Sequence, residues 1–154
     1  VASEKAQVLV NLPVLKDHGI AGVSGALKNN FGLIHNPNKF HLGGCDPHVA
    51  EVNALDPVRR KQRLVICDAL SVQTDGGPGF HPAAAVREGT LLFAFDPVAH
   101  DVIAWELLER LRARRKLPTL AADKRRPVHI AGAARARLGV GERARIELVE
   151  LKVT

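Results

Sequence analysis

The sequence predicts an α/β fold: a layered sheet of about four strands, mostly parallel, with helices packed on it. An antiparallel strand is possible at its C-terminal edge. Three observations carry this expectation. Apolar runs at 8–10 (VLV), 63–69 (RLVICDA) and 90–95 (TLLFAF) alternate with segments of helical spacing. Those runs are continuous rather than alternating, which fits strands covered on both faces. Between them stand stretches dense in Gly, Pro, Asn and Asp, giving the order β-α-α-β-loop-β-α-α-β.

The first strand spans 7–11 and stops at Pro13, which has no N–H for a ladder. Ile20, Val23, Leu27 and Phe31 have near-helical spacing, so 20–31 reads as a helix weakened by its glycines, with Ser24 and Lys28 on one face. The stretch 35–44 is a loop. Asp46 then reads as an N-cap, with Pro47 in the first turn of a helix running to about Leu55 or, past Pro57, to Arg60. The strand at 63–69 is expected to end at Asp68, and 72–82 (VQTDGGPGFHP) is too rich in turn residues for a regular element. After the strand at 90–95, Asp96 caps a strong helix from Pro97 to about Arg115, apolar at Val98, Val102, Trp105, Leu108 and Leu111. A small-residue helix at 127–138 ends at Gly139, and the alternating 145–153 (RIELVELKV) reads as a final half-exposed strand.

The 154 residues are enough for one domain with a real core, and the composition is ordinary for a globular chain. The start on Val, just ahead of a strand, reads as an N-terminally truncated part of a larger domain. The compartment is then cytoplasmic, or exported if a preceding segment carried a signal. No apolar run has transmembrane length. The formal charge of +6 gathers between Arg110 and Arg126, where eight Lys and Arg stand in seventeen positions. Without interleaved aromatics or a nucleic-acid motif, that region reads as a solvated helix end rather than a nucleic-acid surface. Cys45 and Cys67 are too few for a disulfide framework, and neither lies in a C-x-x-C.

The chemistry-bearing stretch is 12–32, LPVLKDHGIAGVSGALKNNFG. Lys16, His18, Ser24, Lys28 and Asn29 stand among four glycines, and ammonium, hydroxyl and amide groups beside exposed backbone N–H suit a phosphate or carboxylate. It is no P-loop, since G-x-x-x-x-G-K-[ST] is absent, and G-V-S-G is not a G-x-S-x-G elbow. A carboxylate set, Asp68, Asp75, Asp96 and Asp101, could hold a divalent metal or supply acid–base chemistry, Asp68 and Asp96 at strand ends where α/β folds place ligands. Asp101 interrupts an apolar helix and needs a partner if buried; Lys28 is the candidate. His41, Cys45 and His48, spaced H-x₃-C-x₂-H near His35, could take Zn²⁺ or iron.

The 12–32 segment, His41, DALSVQTDGGPG at 68–79, DPVAHD at 96–101 and the glycine-containing AGAARARLGVG at 131–141 together resemble the domain-of-unknown-function 362 family. The resemblance runs from about Gln7 to the end and implies a link to iron–sulfur proteins, which some members are. The ferredoxin-like C-x₂-C-x₂-C-x₃-C run behind that label is absent from this chain. Asp17 and Ser24 stand where many relatives carry Thr.

The expected function is binding of a small anionic molecule or a metal at a Lys/His/Asp site, between 12–32 and the ends of the strands carrying Asp68 and Asp96. His18 could there serve as an acid–base group or metal ligand, and the residues leave open whether the chain is an enzyme linked to iron–sulfur or redox proteins. The alternative is a non-catalytic accessory module docking on an iron–sulfur or redox partner through the 110–126 surface.

Overall fold

The structure, a computed structural model, describes residues 5–152. Its sheet is organised around one long strand, β4 (Gln62–Gln73). Two short strands, β1 (Leu9–Asn11) and β2 (Val14–His18), follow one another along β4 and run parallel to it. Pro13 separates them, and its carbonyl still accepts from the Asp68 N–H at 2.9 Å, so the pairing survives the break. β3 (Gly22–Ser24) returns antiparallel on β2, setting Ser24 opposite Lys16. β5 (Ala85–Ala94) pairs antiparallel with β4 from Val65↔Ala94 to Gln73↔Ala85. The expected α/β class is present, as five strands in one mixed sheet with helices packed on it.

The helices packed with the sheet are α1 (Ala26–Asn29), α2 (His48–Ala54), α3 (Asp56–Arg59), α4 (Pro97–Arg114) and α5 (Val128–Arg135). Helix α4 packs across the inner face, burying Val98, Val102, Leu107, Leu108 and Leu111 against a core that includes Leu15, Val65, Cys67, Ala69 and Val72. Full burial of one such side chain is worth about 1.5–3 kcal/mol, against roughly 1 kcal/mol for a cap. Packing therefore holds α4 in place, and the Asp96 cap sets where it begins. The Asp96 carboxylate accepts from the N–H groups of Val98 at 2.8 Å and Ala99 at 3.0 Å, as the sequence predicts.

Several expectations are corrected. The helix expected over 20–31 begins only at Ala26; a turn and β3 come first, and a 3₁₀ turn (Asn30–Leu33) follows. Gly22 has φ of +78°, and a Cβ there would collide with the Arg125 carbonyl, so helical spacing at Ile20 and Val23 is overridden by backbone conformation. Asp46 does not cap α2: the helix starts at His48 with Pro47 at its N-cap, and the Asp46 carboxylate reaches across to Arg135 at 2.8 Å. Asp68 does not end β4 but lies within it, on the exposed face, so 72–82 loses Val72 and Gln73 to the strand. Helix α5 stops at Arg135, the left-handed residue after it is Arg137, and Gly139 is instead pressed against Asp96. The C-terminal strand is absent from the described residues: a 3₁₀ turn (Arg143–Arg145) leads into an exposed, irregular segment. Without a neighbouring strand edge, alternation there has nothing to pair with.

Coverage of the sheet also differs from expectation. Among the described residues one face carries the core and much of the other is exposed. Leu12, Val14, Leu70 and Leu91 are exposed on the other, with Phe93 63% and Phe95 86% accessible. Continuous apolarity reports that both faces of a strand are apolar, and leaves open what lies on each.

Candidate functional site

The site is built around a helix of one turn that could not persist alone. Both ends of α1 are fastened by side chains from elsewhere. At its N-terminus the buried Asp101 carboxylate accepts from the Ala26 N–H at 2.7 Å and the Leu27 N–H at 3.0 Å, and from His100 Nδ1 at 2.8 Å. At its C-terminal side Asn11 donates to the Ala26 carbonyl at 2.8 Å and Asn53 to the Leu27 carbonyl at 2.9 Å. Asn29, Asn30 and Gln62 complete this amide network. Gly25 has no room for a Cβ, which would overlap the Asp101 carboxylate. The partner of Asp101 is therefore the start of α1 rather than Lys28, and the amide network fixes where Lys28 emerges.

Lys28 emerges into a cavity of about 440 Å³, within the range of small-molecule sites. Lys16, His18, Ser24, Lys28, Asn29 and His41 bring polar groups to it, and Leu12, Val14, Phe31, Pro37 and Pro78 its apolar walls. Among the described residues no carboxylate lines it. Lys16 and Ser24 face each other across the β2–β3 pair, and the helix face expected to join Ser24 with Lys28 is absent, since Ser24 lies in β3 and Lys28 in α1. Lys16 Nζ donates to the Pro78 carbonyl at 3.1 Å. Lys28 lies 3.0 Å from His41 Nε2, with its ammonium 4.5 Å from the centre of the Phe31 ring.

Hydrogen bonds settle both histidine tautomers. The N–H groups of Ile20 and Ala21 each donate to His18 Nδ1 at 3.2 Å, so Nδ1 is bare and the neutral ring carries its proton on Nε2. Burial, reinforced by Lys28, His41 and Lys16, holds His18 down at about 4. It is a neutral donor at physiological pH. His41 is the reverse: Nδ1–H donates to the Pro37 carbonyl at 3.0 Å, leaving the Nε2 lone pair to accept from Lys28. The two rings stack with centroids 5.4 Å apart. Burial pushes the Lys28 ammonium down; Cys45 pulls the other way, and Lys16 adds a lesser push downward.

The remaining sequence-selected residues lie elsewhere. Asp68 is exposed and accepts only from the Leu70 N–H, and Asp96 caps α4 and also accepts from the Val140 N–H at 2.8 Å. Neither walls the cavity. Asp75 joins Asp17, Asp123, Arg112 and Arg125 in a separate ion network. Asp17 is wholly buried; it pairs with Arg125 at 2.7 Å and accepts from the Gly77 N–H at 3.0 Å, anchoring the loop that carries Pro78. Of the H-x₃-C-x₂-H residues only His41 reaches the cavity. Cys45 is buried with its thiol 3.9 Å from the His41 carbonyl, and His48 pairs with Glu51 at 2.9 Å. No three His, Cys, Asp or Glu side chains among the described residues are placed to share a metal ion.

The family model described as "Domain of unknown function (DUF362)" matches residues 2–106. The chain belongs to this family. No curated protein and no solved structure matches it. The DUF362 match takes in every residue lining the cavity, together with Asp101, and ends before Arg112, Arg125 and α5. Iron–sulfur chemistry does not fit this DUF362 chain. A cluster of the ferredoxin type needs four thiolates, whereas Cys45 and Cys67 are both buried, and burial lifts the Cys67 thiol to about 12. Among the described residues no helix is long and apolar enough to cross a membrane.

Sequence reasoning missed Asn11, Asn53, Gln62, Phe31 and Pro78. The first two carried a usable signal, since each is a lone amide inside an apolar run, the same mark that singled out Asp101.

Proposed function

We propose that this domain binds a small organic anion in the Lys16–Lys28 cavity. The observation that carries this is the cavity's charge: two ammonium groups, a neutral imidazole N–H donor and a hydroxyl, with no carboxylate among the described residues of its walls. A ligand bearing one anionic group and a short apolar body matches the donors and the Leu12, Val14 and Phe31 surface. A metal ion suits the cavity less well. The bare nitrogen of His18 is taken by two backbone N–H groups and that of His41 by Lys28. Two ammonium groups would also repel a cation. The alternative of an accessory module docking through 110–126 has weaker support, because Arg110 and Arg114 pair with Glu88, and Arg112 and Arg125 point inward.

Titration of isotope-labelled protein with acetate, pyruvate and phosphate tests the proposal by NMR. Shifts should concentrate at His18, Ser24, Lys28 and His41, and should vanish in Lys28→Met but persist in Asp68→Asn. Saturable binding of Zn²⁺ at these same residues, with none of the anions binding, would sink it.

A further inference from the structure

We propose that Lys28 captures its ligand covalently: its amine adds to the carbonyl carbon of a small 2-oxo acid and forms an imine. This rests on the anion-binding reading and adds a reaction to it.

A lysine that only neutralises charge can sit in water or against a carboxylate. Lys28 does neither. It is 9% exposed, and its recorded contacts are the face of Phe31 and the Nε2 lone pair of His41. That lone pair is aimed at Lys28 because the Pro37 carbonyl fixes the His41 proton on Nδ1. A lysine kept in an apolar wall next to a second cation is the arrangement that raises the share of neutral, nucleophilic amine. The net downward shift, set by burial and kept in spite of an opposing pull from Cys45, agrees with that geometry. The second cation also has a use: Lys16, with the His18 N–H and the Ser24 hydroxyl, offers a seat for the carboxylate that stands next to the carbonyl of a 2-oxo acid. The fastening of α1 at both ends keeps the Lys28 stem in place.

The step balances without any oxidant. His41 Nε2 takes a proton from the Lys28 ammonium. The freed electron pair attacks the carbonyl carbon while the carbonyl π pair moves to oxygen. Proton transfers give a neutral carbinolamine, and His41 returns a proton to its hydroxyl. Water leaves, and the nitrogen, which keeps one hydrogen and the positive charge, shares a double bond with the former carbonyl carbon. One ammonium and one 2-oxo acid yield one protonated imine and one water, and His41 ends neutral as it began.

The test is reductive trapping. Protein is incubated with pyruvate and cyanoborohydride at pH 7, its intact mass is measured, and the adduct is located by peptide mapping. One adduct per chain at Lys28 is expected, with labelling roughly a hundredfold slower in His41→Gln, which cannot accept the proton. Acetone, which has the ketone but no carboxylate, should label Lys28 far more slowly. Labelling spread evenly over exposed lysines such as Lys39 and Lys152 would overturn the proposal, and so would a His41→Gln rate equal to wild type. The same sample is titrated with pyruvate by NMR. Shifts at the cavity without an adduct mean that the imine is wrong and anion binding stands; no shifts and no adduct mean that both fail. Trapping and mapping on the unmodified chain decide the matter even if Lys28→Met does not fold.

Discussion

Strand β2 carries the two cation groups of this molecule on opposite sides, and the protein treats them in opposite ways. On one side Asp17 meets Arg112 and Arg125, with Asp75 and Asp123 closing the group; Arg112 is 1% exposed, and its guanidinium also donates to the Thr74 and Pro118 carbonyls. On the other side Lys16 and Lys28 line a cavity with no carboxylate. The arginines are in the form suited to permanent pairing, planar and always charged, and the lysines in the form that can lose a proton. Where charge is cancelled inside the fold it serves the fold. Where it is left open to a cavity it is available for a ligand.

The sharpest way to break this comparison is Arg112→Met. It strands Asp17 and Asp123 beside a single arginine and should lower stability by about 3–5 kcal/mol in urea denaturation. Lys28→Met, on the other side, should change stability by less than about 1 kcal/mol, since it removes a buried cation without a carboxylate partner. Equal losses in the two variants would abolish the distinction.

Acid should act next. His18 and His129 are both held at about 4 by burial, against 6.5 for the free side chain. The unfolded chain therefore takes up protons first as pH falls, so this stability is whole above pH 6.5 and is lost on the way down to about 4. A decline of a few kcal/mol is expected between pH 7.5 and 4.5. It should be smaller in His18→Gln, and a flat profile would mean that both rings are hydrated.

Asp101→Asn should cost about 1.5–3 kcal/mol by weakening charged bonds to the start of α1, and should blunt anion binding by loosening Lys28. Binding unchanged in a folded Asp101→Asn would show that α1 needs no fastening. Asp96→Ala should cost about 1 kcal/mol through the α4 cap and leave the cavity untouched. Smallest is Glu88→Gln, which breaks the exposed Arg110 and Arg114 pairs and should cost at most about 1 kcal/mol.

Much of this was legible in the residues. The apolar runs placed the central strands, Asp96 marked the start of α4, and glycine density marked the segment that forms the cavity. The basic run at 110–126 misled, because spacing alone cannot distinguish a guanidinium in solvent from one reaching a carboxylate 95 positions earlier. The site's second wall also misled. Asp68 and Asp96 have the residue type of a site, yet one faces solvent and the other caps a helix, while the wall is made by His41 and Pro78.

The sequence by itself determined the layered α/β class, the location of the cationic segment, and that Asp101, a charge interrupting the apolar start of a helix, must find a partner. Only the tertiary structure decided who that partner is, which ring nitrogens keep their lone pairs, and which cations stay unpaired. The physical reason is range. Periodicity and capping act over a few residues of one chain segment, whereas Asp101 meets Ala26 across 75 positions and Arg125 meets Asp17 across 108. Contacts of that separation are fixed by how the layers pack, and packing sums over the whole chain.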